Sequence, residues 1–123
     1  MSTIKATTLS NLAGSKTVPT DTVVDGSAKA WVNFNGTGTV AIRRAFNVSS
    51  ITDNGTGDYT INFTNAMVDA NYAAMGVANY SGGVAWVAAP KSGGTKSASA
   101  LQILAVNNGA IADLSNISVS VFR

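Results

Sequence analysis

Residues 58–64 read DYTINFT, with apolar Tyr59, Ile61 and Phe63 alternating with polar Thr60, Asn62 and Thr64. A period of two puts the three apolar side chains on one face of an extended strand and leaves the other face polar. The pattern recurs along the chain. Residues 30–34 (AWVNF) set Ala30, Val32 and Phe34 against Trp31 and Asn33, and residues 39–46 (TVAIRRAF) bring Val40, Ile42 and Phe46 together. Further candidate strands are 72–80, 84–89, 100–106 and 117–122. Gly, Asn and Asp punctuate these runs roughly every ten residues, the spacing of an antiparallel sandwich or small barrel. The predicted fold class is all-β: a single antiparallel β-sandwich, jelly-roll-like, over residues 29–123, behind an extended N-terminal arm. The one place suited to a short helical turn is 65–71 (NAMVDAN), which lacks alternation.

The turn chemistry decides how the most conspicuous motif is understood. NGTG occurs twice, at Asn35–Gly38 and Asn54–Gly57. A phosphate-binding loop needs GxxxxGK[ST] ahead of a helix, because the helix N-terminus and the lysine hold the anion. Here each copy precedes a strand pattern, and neither is followed by Lys-Ser or Lys-Thr. Asn-Gly in a tight connection is a hairpin signal, since both residues tolerate positive φ. The stretch Asp53–Asp58 has two carboxylates but not EF-hand spacing. Its acids are expected to bond the turn's own N–H groups, so no metal site and no cofactor is assigned.

Charge and composition narrow the chemistry further. Only 11% of the 123 residues are charged, with six Asp, five Lys, three Arg and no Glu, for a formal net charge of +2. That is too weak and scattered for a nucleic-acid groove. There is no His and no Cys, which removes the Ser-His-Asp triad, the cysteine nucleophile and imidazole or thiolate zinc sites. The chain is expected not to be an enzyme and to have no catalytic residues. The apolar runs are too short and broken for membrane insertion, and MSTIKATTLSNLAG lacks the apolar core of a secretory signal. Six Asn-x-Ser/Thr sequons are read as unmodified.

Other residues stand out by position. Strict alternation places Arg44 on the same face as Val40, Ile42 and Phe46; either a bulge shifts the register, or Arg44 is partly buried and paired at a subunit interface. Residues 1–28 are rich in Ser and Thr, with scattered Ile4, Leu9 and Leu12. So few apolar groups cannot easily fold alone. The segment is either an arm that orders against other subunits or a larger particle, or a frayed terminus with one edge strand. Residues 80–96 hold paired glycines around a short strand, and loops on a rigid β scaffold often carry recognition. Tyr80 and Trp86 could stack on a sugar, and Lys91 and Lys96 could meet an anionic polysaccharide; alternatively, Trp86 belongs to the core.

The block AKAWVNFNGTGTVAIRRAFNVSSITDNGTGDYTINFTNAM, followed by NYA, resembles a domain that recurs in tail-fibre and other virion structural proteins of tailed bacteriophages. WVNF, NVSSI and GDYT carry the resemblance over about residues 28–74, and the opening MSTIKATTLSNLAGSKTVPTDTVV is similar to the segment that often precedes them. The resemblance implies a virion appendage or surface role and a homotrimer, but no catalytic motif. The expected function is therefore a tail-fibre- or adhesin-like protein, assembled in the host cytoplasm. Its arm would anchor it to other virion proteins, and it would contact a host-surface polysaccharide. The alternative is a capsid head-decoration or head-fibre protein with no receptor role. A free carbohydrate-binding module is more distant, and a depolymerase would need a longer chain and a paired-carboxylate groove.

Overall fold

A computed structural model describes residues 1–79 and 85–123. The chain opens with a small hairpin of β1 (Thr8–Ser10) and β2 (Thr17–Pro19), then one short helix, α1 (Thr20–Gly26). Eight longer strands follow: β3 (Ala28–Asn35), β4 (Ala41–Phe46), β5 (Val48–Gly55), β6 (Asp58–Phe63), β7 (Ala73–Asn79), β8 (Ala85–Pro90), β9 (Ala100–Asn107) and β11 (Asn116–Phe122). The two-residue β10 (Ala110–Ile111) hangs on β9.

The strands join antiparallel in the order β4-β3-β11-β7-β8-β9-β6-β5. β7, β8 and β9 form a meander; β11 returns beside β7, and β6 lies beside β9. Each return makes a Greek key, the connectivity on which jelly rolls are also built. The end strands β4 and β5 come alongside each other, so the sheet curls into a near-barrel. The all-β antiparallel class read from the alternation is the class the chain forms.

The inward face is apolar throughout. Ala30, Val32 and Phe34 of β3, Tyr59, Ile61 and Phe63 of β6, Leu101, Ile103 and Ala105 of β9, and Ile117, Val119 and Val121 of β11 are buried. These are alternate positions, as a strand with one solvated face requires. Phe34 meets Tyr59 edge-on at 5.2 Å, and Phe63 meets Tyr72 at 5.8 Å. No charged or polar residue is buried among the described residues, so the core carries no desolvated ion.

Both NGTG segments are turns, in hairpins β3–β4 and β5–β6. They share one clamp. The Tyr59 hydroxyl lies 2.8 Å from Asp113 Oδ1 and 2.9 Å from the Gly36 carbonyl, while Gly57 N–H donates to the same Asp113 oxygen and Gly36 N–H to the Leu114 carbonyl. A Cβ on Gly36 would sit 2.5 Å from the Tyr59 hydroxyl, and one on Gly57 would sit 2.6 Å from the Ala112 nitrogen. The glycines are there for close approach as well as for turning.

Three features differ from the sequence expectation. Residues 65–71 form bends, not a helical turn; the helix lies at 20–26, after Pro19, where the fixed φ of proline suits a helix start. The N-terminal segment is not simply extended, since it holds a hairpin and this helix. β5 is a full strand although VSSITDNG has no apolar alternation, because only Val48 and Ile51 pack inward. Of the two alternatives for Arg44, the bulge is the one that forms, and Arg44 is exposed. A bulge sets Arg44 opposite Asn33 and Ile42 opposite Phe34, leaving Arg43 as the extra residue. Val40 and Ala45 then pack on the core, and Phe46 turns outward.

Candidate interaction surface

Pairing registers trace one row of outward side chains around the barrel: Arg44, Asn33, Ser118, Val77, Val87, Val106 and Ile111. Its first part is polar. Asn33 donates from Nδ2 to Ser118 Oγ at 2.9 Å and to the Asn116 side chain. On the far side, Asn62 bonds both Ser50 and Thr52 at 3.0 Å, and Asn54 bonds Thr60 at 2.9 Å. Neutral amide–hydroxyl ladders thus cover the outer faces of β3 with β11 and of β5 with β6, which helps a chain with so few charges keep a wettable exterior.

Across the meander the row turns apolar. Val77 is 67% exposed, Val87 56% and Ile111 50%, and Met75 beside them is 63% exposed. Leu104 and Val106 add partly covered apolar surface. The cause is an inversion of the usual strand pattern. In β7 the inward positions are small (Ala74, Gly76, Ala78) and the outward ones large (Met75, Val77). A Cβ at Gly76 would come within 2.6 Å of the Ala88 carbonyl, so nothing larger fits inward there. None of β7–β10 carries a charged residue. Single exposed apolar residues are ordinary, whereas a contiguous, uncharged row of them marks a contact surface.

The N-terminal segment shows the same property. No residue of 1–27 is buried, and Ile4, Leu9, Leu12, Val23 and Val24 are all exposed. Internal bonds shape it: Asn11 Oδ1 accepts from Lys16 N–H at 3.0 Å, and Thr20 Oγ1 donates to the Ala6 carbonyl at 2.7 Å. Where this segment meets the barrel there is an open groove of about 360 Å³, lined by Ala28, Lys29, Phe46, Met67, Val68 and Arg123 among others. Its cations are engaged. Lys29 Nζ donates to the Val24 and Ser27 carbonyls, and Arg123 forks onto Asp69 at 2.8 and 2.9 Å.

Three of the four residues assigned to receptor contact lie among the described residues. Tyr80 lies outside the described residues. Trp86 is partly buried and packs against the core. Lys91 pairs with Asp58 at 2.6 Å. Burial pushes the Asp58 carboxyl upward, but hydrogen bonds from Lys91, Gln102 and Asn54 outweigh it and hold the group below its ordinary range. Lys96 sits over the Tyr72 ring at 5.1 Å, a cation–π contact within the chain. Arg44, Ile4, Leu9 and Leu12, assigned to subunit contacts, are all exposed.

Four of the six aspartates, Asp53, Asp58, Asp69 and Asp113, are engaged by the fold. Asp53 accepts from Gly55 N–H at 3.0 Å, as its place beside a tight turn leads one to expect, and Asp113 holds Gly57 and Tyr59. Burial and the neighbouring Asp113 raise the Tyr59 phenol well above its ordinary value, so it stays protonated. Among the described residues no three Asp side chains cluster in a way that could hold a metal ion. The apolar row was missed in the sequence because both parities of β7 are apolar. The usable signal was size, with small residues on one parity and large on the other. Comparison of the chain with protein-family models, characterised proteins and solved structures gives no match in any of the three.

Proposed function

We propose that this chain is a non-enzymatic structural protein of a bacteriophage virion, an appendage or fibre-like module that works as a homo-oligomer, with a trimer expected. The observation that carries the reading is the outward apolar row Val77–Val87–Val106–Ile111, set on a rigid barrel and accompanied by an N-terminal segment that buries none of its own apolar groups. Both surfaces gain by covering, and burial of apolar area contributes about 25 cal/mol per Å² removed from water. The segment would attach the module to its particle and the row would pack copies together. Polar ladders cover the outer faces of β3 with β11 and of β5 with β6. The resemblance of residues 28–74 to phage virion domains supports the same reading. A glycan contact through Trp86 and Lys91 is not part of the proposal, because both side chains already serve the fold.

Cryo-electron microscopy of the particles of the phage that encodes the chain tests this directly. Density for the barrel on the tail or its fibres supports the appendage reading. Density on capsid vertices or lattice three-folds replaces it with head decoration, and absence of the chain from purified particles overturns the virion assignment.

A further inference from the structure

Three Asn-Gly pairs occur in the chain: Asn35-Gly36, Asn54-Gly55 and Asn108-Gly109. In such a pair the following backbone nitrogen can attack the asparagine side-chain carbonyl, because glycine has no Cβ to block closure of the five-membered ring. The structure treats the three pairs differently. Asn35 is held at both ends: its Nδ2 donates to the Thr37 carbonyl at 2.7 Å, its Oδ1 accepts from Thr37 Oγ1 at 2.7 Å, and the Gly36 N–H is engaged by the Leu114 carbonyl at 2.9 Å. Asn54 Nδ2 donates to Asp58 and Thr60, and the Gly55 N–H is engaged by Asp53 at 3.0 Å. Asn108 and Gly109 are exposed, and among the described residues neither the Asn108 side chain nor the Gly109 N–H has a hydrogen-bond partner.

Asn108 and Gly109 turn the chain between β9 and β10 with both φ values positive, 47° and 86°. The turn is closed by two paired positions, Ala110 with Asn107 and Ile111 with Val106, and by the Ala112 N–H, which donates to the Ala105 carbonyl at 3.0 Å. So short a ladder opens locally at little cost, which frees the turn to reach the geometry of attack.

We propose that Asn108 is a site of spontaneous deamidation in the folded protein, while Asn35 and Asn54 are protected by their hydrogen bonds. The deprotonated Gly109 nitrogen forms a bond to Asn108 Cγ, the Cγ–Nδ2 bond breaks, and ammonia leaves with a proton from water. Water then opens the succinimide at either carbonyl to give aspartate or isoaspartate. The product puts a carboxylate beside Ile111, at the end of the uncharged apolar row. This chemistry does not depend on the virion reading.

The test is peptide mapping by mass spectrometry of the full chain after ageing in mildly alkaline buffer, folded and in urea. In the folded protein Asn108 should convert at least about tenfold faster than Asn35 and Asn54, while in urea the three rates converge. Equal rates in the folded protein, a faster Asn35 or Asn54, or an Asn108 lead that persists undiminished in urea would each overturn the proposal.

Discussion

Asn47 is the residue on which the near-closure of the barrel turns. It is the only residue between β4 and β5, and it sits at φ 54°, a conformation that asparagine tolerates better than most. Its Nδ2 donates to the Lys29 and Asn65 carbonyls at 3.0 and 3.1 Å, and its Oδ1 accepts from Asn65 N–H at 2.8 Å. One side chain thus ties β3, the β4–β5 corner and the loop after β6. Asn47→Ala loses these bonds and strains the backbone, and should lower stability by about 2–4 kcal/mol in urea unfolding. Asn47→Gly relieves only the backbone part and should fall between Asn47→Ala and the parent. Tyr59→Phe leaves Asp113 and the Gly36 carbonyl without the hydroxyl and should cost about 1–3 kcal/mol. Acid acts through the paired aspartates. Arg123 holds the Asp69 carboxyl down at about 2, against 3.8 for a free aspartate. The contribution of this pair is complete above pH 3.8 and is lost as pH falls towards 2. Asp58, also lowered, acts in the same direction. Urea midpoints should therefore decline over that acid window, and Asp69→Asn should shrink the decline; an unchanged profile would remove the pair's role.

At the level of elements, legibility followed whether one face of a strand is dry. β6 and β11 were plain in the sequence because their inward positions are large and apolar and most of their outward ones are polar, while β9 shows as a short, largely apolar run. β5 was invisible, since at the barrel's edge it buries little and is held by backbone pairing to β6. Arg44 left two readings open because alternation alone cannot register an extra residue; the bulge at Arg43 flips every side chain beyond it. The helix at 20–26 was unreadable for a related reason. Its Val23 and Val24 are poor helix formers, and it buries nothing that would leave an apolar stripe. The site suffered more than the fold. Loop composition drew the search to residues 80–96, whereas the exposed apolar surface lies on the strands. Gly76→Leu should test the inversion in β7. With no inward room, it should destabilise the barrel by about 3 kcal/mol or more in thermal unfolding, whereas Val77→Thr should cost under about 1.

At the scale of the whole molecule, two apolar surfaces remain uncovered within one chain while the core itself is complete. Seventeen hydrophobic residues among those described are buried, and none of them belongs to residues 1–27. Removing that segment should therefore leave the barrel folded, with the far-ultraviolet spectrum of an antiparallel sheet retained. The uncovered surfaces make assembly the central claim, and the outer row is its most exposed point. Light scattering of the purified chain at micromolar concentration, compared with Val87→Asp, tests it most directly. A trimer packed through this row gives three times the chain mass for the parent and the single-chain mass for a still-folded Val87→Asp. A parent that stays monomeric, or a Val87→Asp variant that assembles as the parent does, would contradict it.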